Sequence, residues 1–175
     1  MRGARGFPRG CGALVPGVRG GIAVAVACLA AGACAGGSAF GPANPAPWDP
    51  ESVAFAPSLG VALAAMERRP SGLYVEELAP GDGAEARRGS EVTLHYVGYL
   101  ADGTVVDRTE DGDPVRFRLG QDPVIRGWTE GAEGMRVGGV RRLVVRPSLG
   151  YGNRGQGPVP PNATLIFDVR LLAVR

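Results

Sequence analysis

The sequence predicts an α+β domain in which an antiparallel sheet of about five strands packs against one short helix. From residue 71 onward, short segments alternate apolar and polar side chains, which is typical of strands with one face in a core. One glycine-flanked stretch, Ile125–Met135, is predicted to be the helix. No cysteine follows Cys34, so burial alone must stabilise this part, and about 100 residues suffice for that.

Residues 1–33 have the features of a signal peptide. Four arginines in the first 20 residues precede the apolar run 22–33, which at 12 residues is too short to span a bilayer. The sequence LAAGAC, ending at Cys34, resembles a bacterial lipobox, and we expect Cys34 to be the lipidated first residue of the mature protein. The alternative is simple cleavage after Ala33 with release into the periplasm.

Between the leader and the domain, residues 34–57 are predicted to be a flexible tether because Gly, Ala and Pro dominate them. Residues 58–70 are predicted to form a short helix, with Ser58 as N-cap and Pro70 as its stop. Its apolar residues recur at helical spacing, so it either packs on its own domain, which we favour, or acts as a dimerising helix. Its apolar positions are Leu59, Ala62, Leu63 and Met66.

The strands are bounded by turn signals such as PGDG at 80–83 and ADG at 101–103. Their alternation places them at GLYVEEL (72–78), EVTLHYVGYL (91–100), TVVD (104–107), VRFRL (115–119), VRRLVVR (140–146) and TLIFDVRLLAV (164–174).

The charge pattern argues against a nucleic acid or an anionic membrane as partner. All 19 basic residues are Arg; four lie in the first 20 residues, which leaves 15 against 17 Asp plus Glu in the rest, a balance of about −2. Membrane association is therefore expected only through the lipid anchor.

Conventional catalytic and metal sites are poorly supported. His95 is the single histidine and lies in mid-strand, where a structural role is favoured. Ser148 lies in no nucleophile motif, and Asp107, Asp111 and Asp113 lack the spacing of a calcium loop. A hydrolase or a metalloenzyme is therefore not expected.

An apolar and aromatic set remains, and two of its members are unusual. Trp128 stands beside Gly127 and Gly131 at a helix start, where backbone N–H groups are unpaired. A free N–H at Ile125 above an indole floor would suit an apolar ligand that carries a carbonyl. Tyr151 lies in a loop too rich in Gly and Pro to be a strand, where an aromatic often covers something.

Four separated motifs resemble the FKBP-type peptidyl-prolyl cis/trans isomerases, in the order of that family and over Ser71–Arg175. They are HYVGYLADGTVVD, VIRGWTEG, GYGN and VPPNATLIFDVRLL. The resemblance implies a twisted antiparallel sheet wrapped around one short helix, with an apolar pocket between them. It also implies that no cofactor and no metal is required.

The resemblance assigns roles to individual residues. Trp128 would form the pocket floor and Val124 and Ile125 one wall, with the Ile125 N–H and the Tyr151 hydroxyl bound to the ligand. The implied catalytic set is Tyr96, Val106, Asp107, Trp128, Tyr151 and Phe167, and the implied substrate-binding set is Val124, Ile125 and Val159.

Two departures from the family pattern predict a wider and less aromatic pocket. Val106 stands where the family often has Phe, and Val115 replaces a common aromatic. We therefore expect macrolides such as rapamycin to bind, but more weakly than in typical members.

The predicted function is a prolyl isomerase of a bacterial envelope, exported, lipid-anchored and monomeric, that acts on X–Pro bonds of unfolded or folding polypeptides. The alternative is a non-catalytic peptide-binding or holdase module of the same fold, for which Val106 is the main argument.

Overall fold

The computed structural model describes residues 48–109 and 112–175, so the predicted signal peptide, Cys34 and most of the predicted tether lie outside the described residues. Seven strands and one α-helix follow each other along these described residues. They are β1 (Glu67–Arg68), β2 (Tyr74–Ala79), β3 (Glu91–Leu100), β4 (Val105–Arg108), β5 (Val115–Arg118), α1 (Arg126–Ala132), β6 (Val140–Val145) and β7 (Leu165–Val174). In these two ranges no helix has the length and apolar character needed to cross a membrane.

All seven strands belong to one antiparallel sheet with the order β1-β2-β6-β7-β3-β4, and β5 pairs with the first half of β3. The expectation of about five strands did not include the two-residue β1, and of β4 and β5 it counted only β5 as a separate strand. β3 is long enough to pair with both of these, with β5 through Glu91–Leu94 and with β4 through Val97–Tyr99. The predicted α+β class is confirmed, with one helix on an antiparallel sheet.

The inner face of the sheet and α1 enclose the main hydrophobic core. Leu143 and Val145 of β6 and Leu165 and Phe167 of β7 alternate onto this face, and each is at most 2% exposed. Leu94 joins them from β3. Alternation at period two therefore places the core, as the sequence pattern predicts.

The outer face of the sheet is apolar at one end, where Tyr74, Val144 and Ile166 form a second cluster. Leu59 and Met66, from the segment before β2, cover these three side chains and are themselves buried. The sheet is thus buried on both faces at this end, with α1 on one side and residues 48–70 on the other.

The prediction of a helix over residues 58–70 was wrong. Two single 3-10 turns, Pro57–Leu59 and Leu63–Ala65, and the strand β1 occupy this stretch. Gly60 ends the first turn in the left-handed conformation, with φ of 61°, which interrupts a helix at that point. Because Leu59 and Met66 pack on their own domain, the apolar stripe on which a dimerising helix depended does not exist.

The tether prediction was wrong for residues 48–57. Pro50 is buried in a 3-10 turn, Glu51 accepts a hydrogen bond of 2.6 Å from the Tyr74 hydroxyl, and the Ala56 N–H donates to the Ala101 carbonyl at 2.8 Å. Composition pointed to flexibility, but these specific contacts fasten the segment to the sheet.

Candidate active site

The glycines around Trp128 allow α1 to lie directly on β6. A Cβ atom added at Gly127 would stand 2.7 Å from Cγ1 of Val145, and one added at Gly131 would stand 2.7 Å from Cδ2 of Leu143 and nearer still to Cδ1. Real Cβ atoms do not approach so closely, so only glycine fits. The low helix propensity of these residues is therefore the cost of bringing the helix backbone, and Trp128 with it, against the sheet.

Arg141 holds the other end of the helix in place. Its Nη1 donates to the carbonyls of Gly131 at 2.8 Å and Glu133 at 3.1 Å, which satisfies acceptors that a helix C-terminus leaves unpaired. Its Nε and Nη2 donate to the Glu77 carboxylate at 2.9 and 2.7 Å. The buried guanidinium thereby ties α1 to β2 and β6.

Three aromatic rings pack around Trp128. Tyr96 and Phe167 contact the indole edge-to-face, with ring centroids 4.5 and 5.5 Å away, and Phe117 stacks on it at 5.8 Å. Such pairs stabilise by about 0.5–1.5 kcal/mol beyond the area they bury. The indole is therefore fixed, while its Nε1 is buried and has no hydrogen-bond partner within residues 48–109 and 112–175.

A cleft of about 520 Å³ opens over this platform. Its lining includes Trp128, the aliphatic side chains of Val124 and Ile125, and Tyr151 together with Leu149. The structure thus brings four of the predicted site residues together around one cavity: Val124, Ile125, Trp128 and Tyr151.

Tyr96 and Asp107 form a polar pair beside the platform. The Tyr96 hydroxyl donates to Oδ2 of Asp107, whose Oδ1 accepts the Arg108 N–H at 2.9 Å. Burial first, and then this hydrogen bond and the charge of Asp107, raise the pKa of the Tyr96 phenol above its usual range. Burial and the charge of Asp107 also raise the pKa of Tyr151, so both phenols are protonated donors at neutral pH.

Among the described residues, the backbone at the start of α1 has an unpaired donor at a residue that lines the cleft. Ile125 is the N-cap of α1, and among the hydrogen bonds of the described residues none uses its N–H. The adjacent Val124 N–H does donate, to the Asp122 carbonyl at 2.8 Å, so the turn itself is ordered. A carbonyl in the cleft can therefore be bound by Ile125 without displacing a protein acceptor.

The other predicted site residues lie around the cleft rather than in its lining. Phe167 is buried and contacts Trp128 edge-to-face, and Val106 packs against the core. Val159 is also buried in the core, and its backbone forms an isolated β-bridge with Gln156. His95 lies outside the cleft lining, and its Nδ1 is hydrogen-bonded to the Thr109 hydroxyl at 2.8 Å.

Sequence reasoning missed the six other lining residues: Pro123, Arg126, Ser148, Leu149, Gly150 and Gln156. Pro123 and Arg126 flank the Val124–Ile125 wall, and Ser148 and Gly150 flank Leu149 just before Tyr151. Most of them are close in sequence to predicted site residues, and this was the one signal that could have identified them. Their side chains have no chemistry that marks a binding site.

Comparisons with known proteins agree with this architecture. Residues 83–172, just over half of the chain, match the family described as FKBP-type peptidyl-prolyl cis-trans isomerase. The chain is 46% identical over 106 residues to FK506-binding protein 4 of Mycosarcoma maydis, which covers 61% of this chain but only 28% of that relative. It is 49% identical over 105 residues to the FK506-binding protein of Neisseria meningitidis serogroup B, covering 59% of this chain and 96% of that one.

Among solved structures, the fold is similar to that of FkpA from Escherichia coli, with a TM-score of 0.58 and 40% sequence identity. The similarity covers 63% of this chain and 51% of FkpA, so the two share one domain rather than their whole lengths.

Proposed function

Because this chain belongs to the FKBP-type peptidyl-prolyl cis-trans isomerases, we propose that its cleft over Trp128 accelerates rotation about X–Pro bonds in polypeptides. The observation that carries the proposal is the cleft itself, whose lining brings together the fixed indole of Trp128, an aliphatic wall and two residues with donors that no described residue engages. Val124 and Ile125 form the wall, and the donors are the Ile125 N–H and the Tyr151 hydroxyl.

The chemistry needs no acid, base or cofactor. The barrier to rotation, about 18–20 kcal/mol, comes from amide resonance, which is lost when the bond is twisted. The twisted amide has a less polarised carbonyl than the planar one, so an apolar cleft favours it over the ground state. A ~10⁵-fold acceleration requires about 7 kcal/mol of such differential stabilisation.

The two donors would position the substrate rather than transfer protons. The Ile125 N–H would bind a substrate carbonyl, and the Tyr151 hydroxyl, whose raised pKa keeps its proton in place, would bind a second one. Fixing both ends of the segment leaves the X–Pro bond as the part that turns.

Substitution of Val106 is the best way to distinguish an isomerase from a module that only binds peptides. Val106 lies on β4 and packs against the core beside the cleft, where the family often has Phe. We propose that the smaller side chain widens the pocket and lowers the rate without removing turnover. The rival function, a binding or holdase module, would show peptide affinity but no acceleration.

The decisive experiment measures isomerisation of a short X–Pro peptide by the purified chain and by Trp128→Ala, Tyr151→Phe and Val106→Phe. Tyr99→Phe is the matched control for Tyr151→Phe, because Tyr99 packs in the outer cluster and away from the cleft. We expect at least a tenfold loss of kcat/KM in Trp128→Ala, a smaller loss in Tyr151→Phe, no change in Tyr99→Phe and an equal or higher value in Val106→Phe. A folded protein that gives no acceleration, even with Phe at 106, would leave the binding module as the function.

The ligand class follows from the same cleft. We propose that proline-containing segments of unfolded or folding chains are its substrates. An open cleft with few polar contacts discriminates little between the side chains that flank the proline. The relatives are named as FK506-binding proteins, and macrolides of the FK506 type would compete with these substrates for the cleft. The affinity of the macrolides should increase in Val106→Phe.

We also propose that the protein is exported to a bacterial cell envelope and anchored there through lipid on Cys34. The support is the order of arginines, apolar run and Cys in residues 1–34. Metabolic labelling with a fatty-acid analogue tests it, with Cys34→Ala as the variant and Cys28→Ala as the matched control. Label that survives Cys34→Ala, or an unlabelled protein in the soluble fraction, would contradict the anchor.

A further inference from the structure

A second groove adjoins the loop that carries Tyr151. Its volume is about 210 Å³, and Trp48, Ser148, Gly152, Asn153 and Asn162 contribute to its lining. Trp48 comes from the N-terminal segment, which the family match at residues 83–172 does not include.

The position of Trp48 is fixed although its side chain is free. Its carbonyl accepts a hydrogen bond of 3.1 Å from the hydroxyl of Thr164, which is itself only 5% exposed. The next residue, Asp49, lies 3.8 Å from the Arg146 guanidinium. Trp48 is nevertheless 45% exposed, one of only three large hydrophobic residues so exposed in the described part of the chain.

The groove adjoins the cleft over Trp128 at one residue. Ser148 lines both cavities, and Tyr151 in the cleft is followed directly by Gly152 in the groove. One extended polypeptide could therefore reach both.

The groove also contains the Arg146 side chain, which lies 3.8 Å from the Asp49 carboxylate, and it offers groups that an extended peptide can bind. The side-chain amides of Asn153 and Asn162 each supply a donor and an acceptor, which matches a peptide backbone. Asn162 is the one described non-glycine residue with positive φ, 57°, and this strained turn is held by its N–H bond to the Gly152 carbonyl at 2.8 Å. The exposed indole supplies a large apolar surface for one side chain.

We propose that this groove is a second peptide subsite, in which Trp48 binds an apolar or aromatic side chain that flanks the isomerised X–Pro bond. The proposal rests on the proposed function, since the substrate must also occupy the cleft. It makes the N-terminal segment a determinant of substrate choice, with long apolar segments preferred over short peptides.

The test compares two peptides with the full chain: a four-residue X–Pro peptide, and a twelve-residue peptide with the same centre and Phe or Leu on both sides. The quantity measured is the ratio of their kcat/KM values. We expect the long peptide to be favoured about five- to tenfold by the unchanged protein, and this ratio to fall to near one in Trp48→Ala. Trp48→Phe should retain most of the preference. Leu78→Ala, which removes another exposed apolar side chain at 43% exposure, should leave both rates unchanged.

A ratio that Trp48→Ala leaves unchanged would overturn the subsite. The same conclusion would follow if light scattering showed that Trp48→Ala only converts a dimer into a monomer, because the occupant would then be a second copy. Polarisation of the two labelled peptides measures binding directly, so the groove is tested even if neither peptide is isomerised and the proposed activity fails.

Discussion

Replacing Gly127 by Ala sets two opposed effects against each other in the helix that carries Trp128. In an isolated helix, Ala is favoured over Gly by about 1 kcal/mol. Here the new methyl group would stand 2.7 Å from Cγ1 and 2.8 Å from Cγ2 of Val145. Val145 is fully buried and β-branched, so it has little freedom to turn away.

The expected result is a net loss of stability. Overpacking a core by one methyl group costs about 1–3 kcal/mol, and a stiff neighbour places Gly127→Ala in the upper half of that range. After the propensity gain, the free energy of unfolding should fall by about 1–2 kcal/mol. Because the helix must move outward, the Trp128 indole moves with it, and kcat/KM for an X–Pro peptide should fall as well.

Urea denaturation of Gly127→Ala, Val145→Ala and the double variant checks the reasoning. Val145→Ala alone should cost about 2–3 kcal/mol through lost burial and a cavity. In the double variant the methyl group added at position 127 enters that cavity, so the total loss should be smaller than the sum by about 0.5–2 kcal/mol. A Gly127→Ala protein that is more stable by about 1 kcal/mol, the bare propensity gain, would refute the close approach of α1 to β6.

Three further predictions concern the framework of the site. Leu59→Ala and Met66→Ala should each lower the free energy of unfolding by about 2–4 kcal/mol in urea titrations, because both side chains are buried on the outer face of the sheet. A loss below about 0.5 kcal/mol, as at an ordinary surface position, would mean that the segment before β2 does not pack on the sheet. Asp168→Ala should cost about 2 kcal/mol or more, since it leaves the Arg142 guanidinium without the carboxylate that it contacts at 2.6 and 2.8 Å; near-neutral denaturation curves would contradict this. The stability of the unchanged protein should fall as pH rises above about 10, where the unfolded Tyr96 phenol loses its proton before the folded one, whose pKa is raised. The slope of melting temperature against pH in this range should be smaller in Tyr96→Phe, and an equal slope would show that Tyr96 titrates normally in the fold.

The strands and the cleft were predictable because they rest on local signals. Alternation located β2, β3, β5, β6 and β7, and the unusual pairing of Trp128 with glycines marked the helix that meets the sheet. The sequence resemblance then assigned Tyr151 and Ile125 to one cavity, and the structure places both in its lining.

The N-terminal segment was not predictable in the same way. Leu59 and Met66 are seven residues apart, and this spacing fits a helix as well as it fits two anchors on an extended chain. Only the apolar outer face of Tyr74, Val144 and Ile166 decides between them, and that face arises from pairing between strands far apart in sequence. Pairing of this kind is not contained in any local pattern.

The place of β7 in the sheet has a consequence for how the chain acquires its fold. β7 is the last strand in the sequence, yet it lies between β6 and β3 and is hydrogen-bonded to both along most of its length. Until residues 165–174 are available, β2 with β6 and β3 with β4 and β5 remain two fragments whose facing edges are unpaired. Closure of the sheet by long-range contacts is slow compared with local structure formation. A nascent chain therefore stays open, and dependent on protection from aggregation, until its final strand emerges.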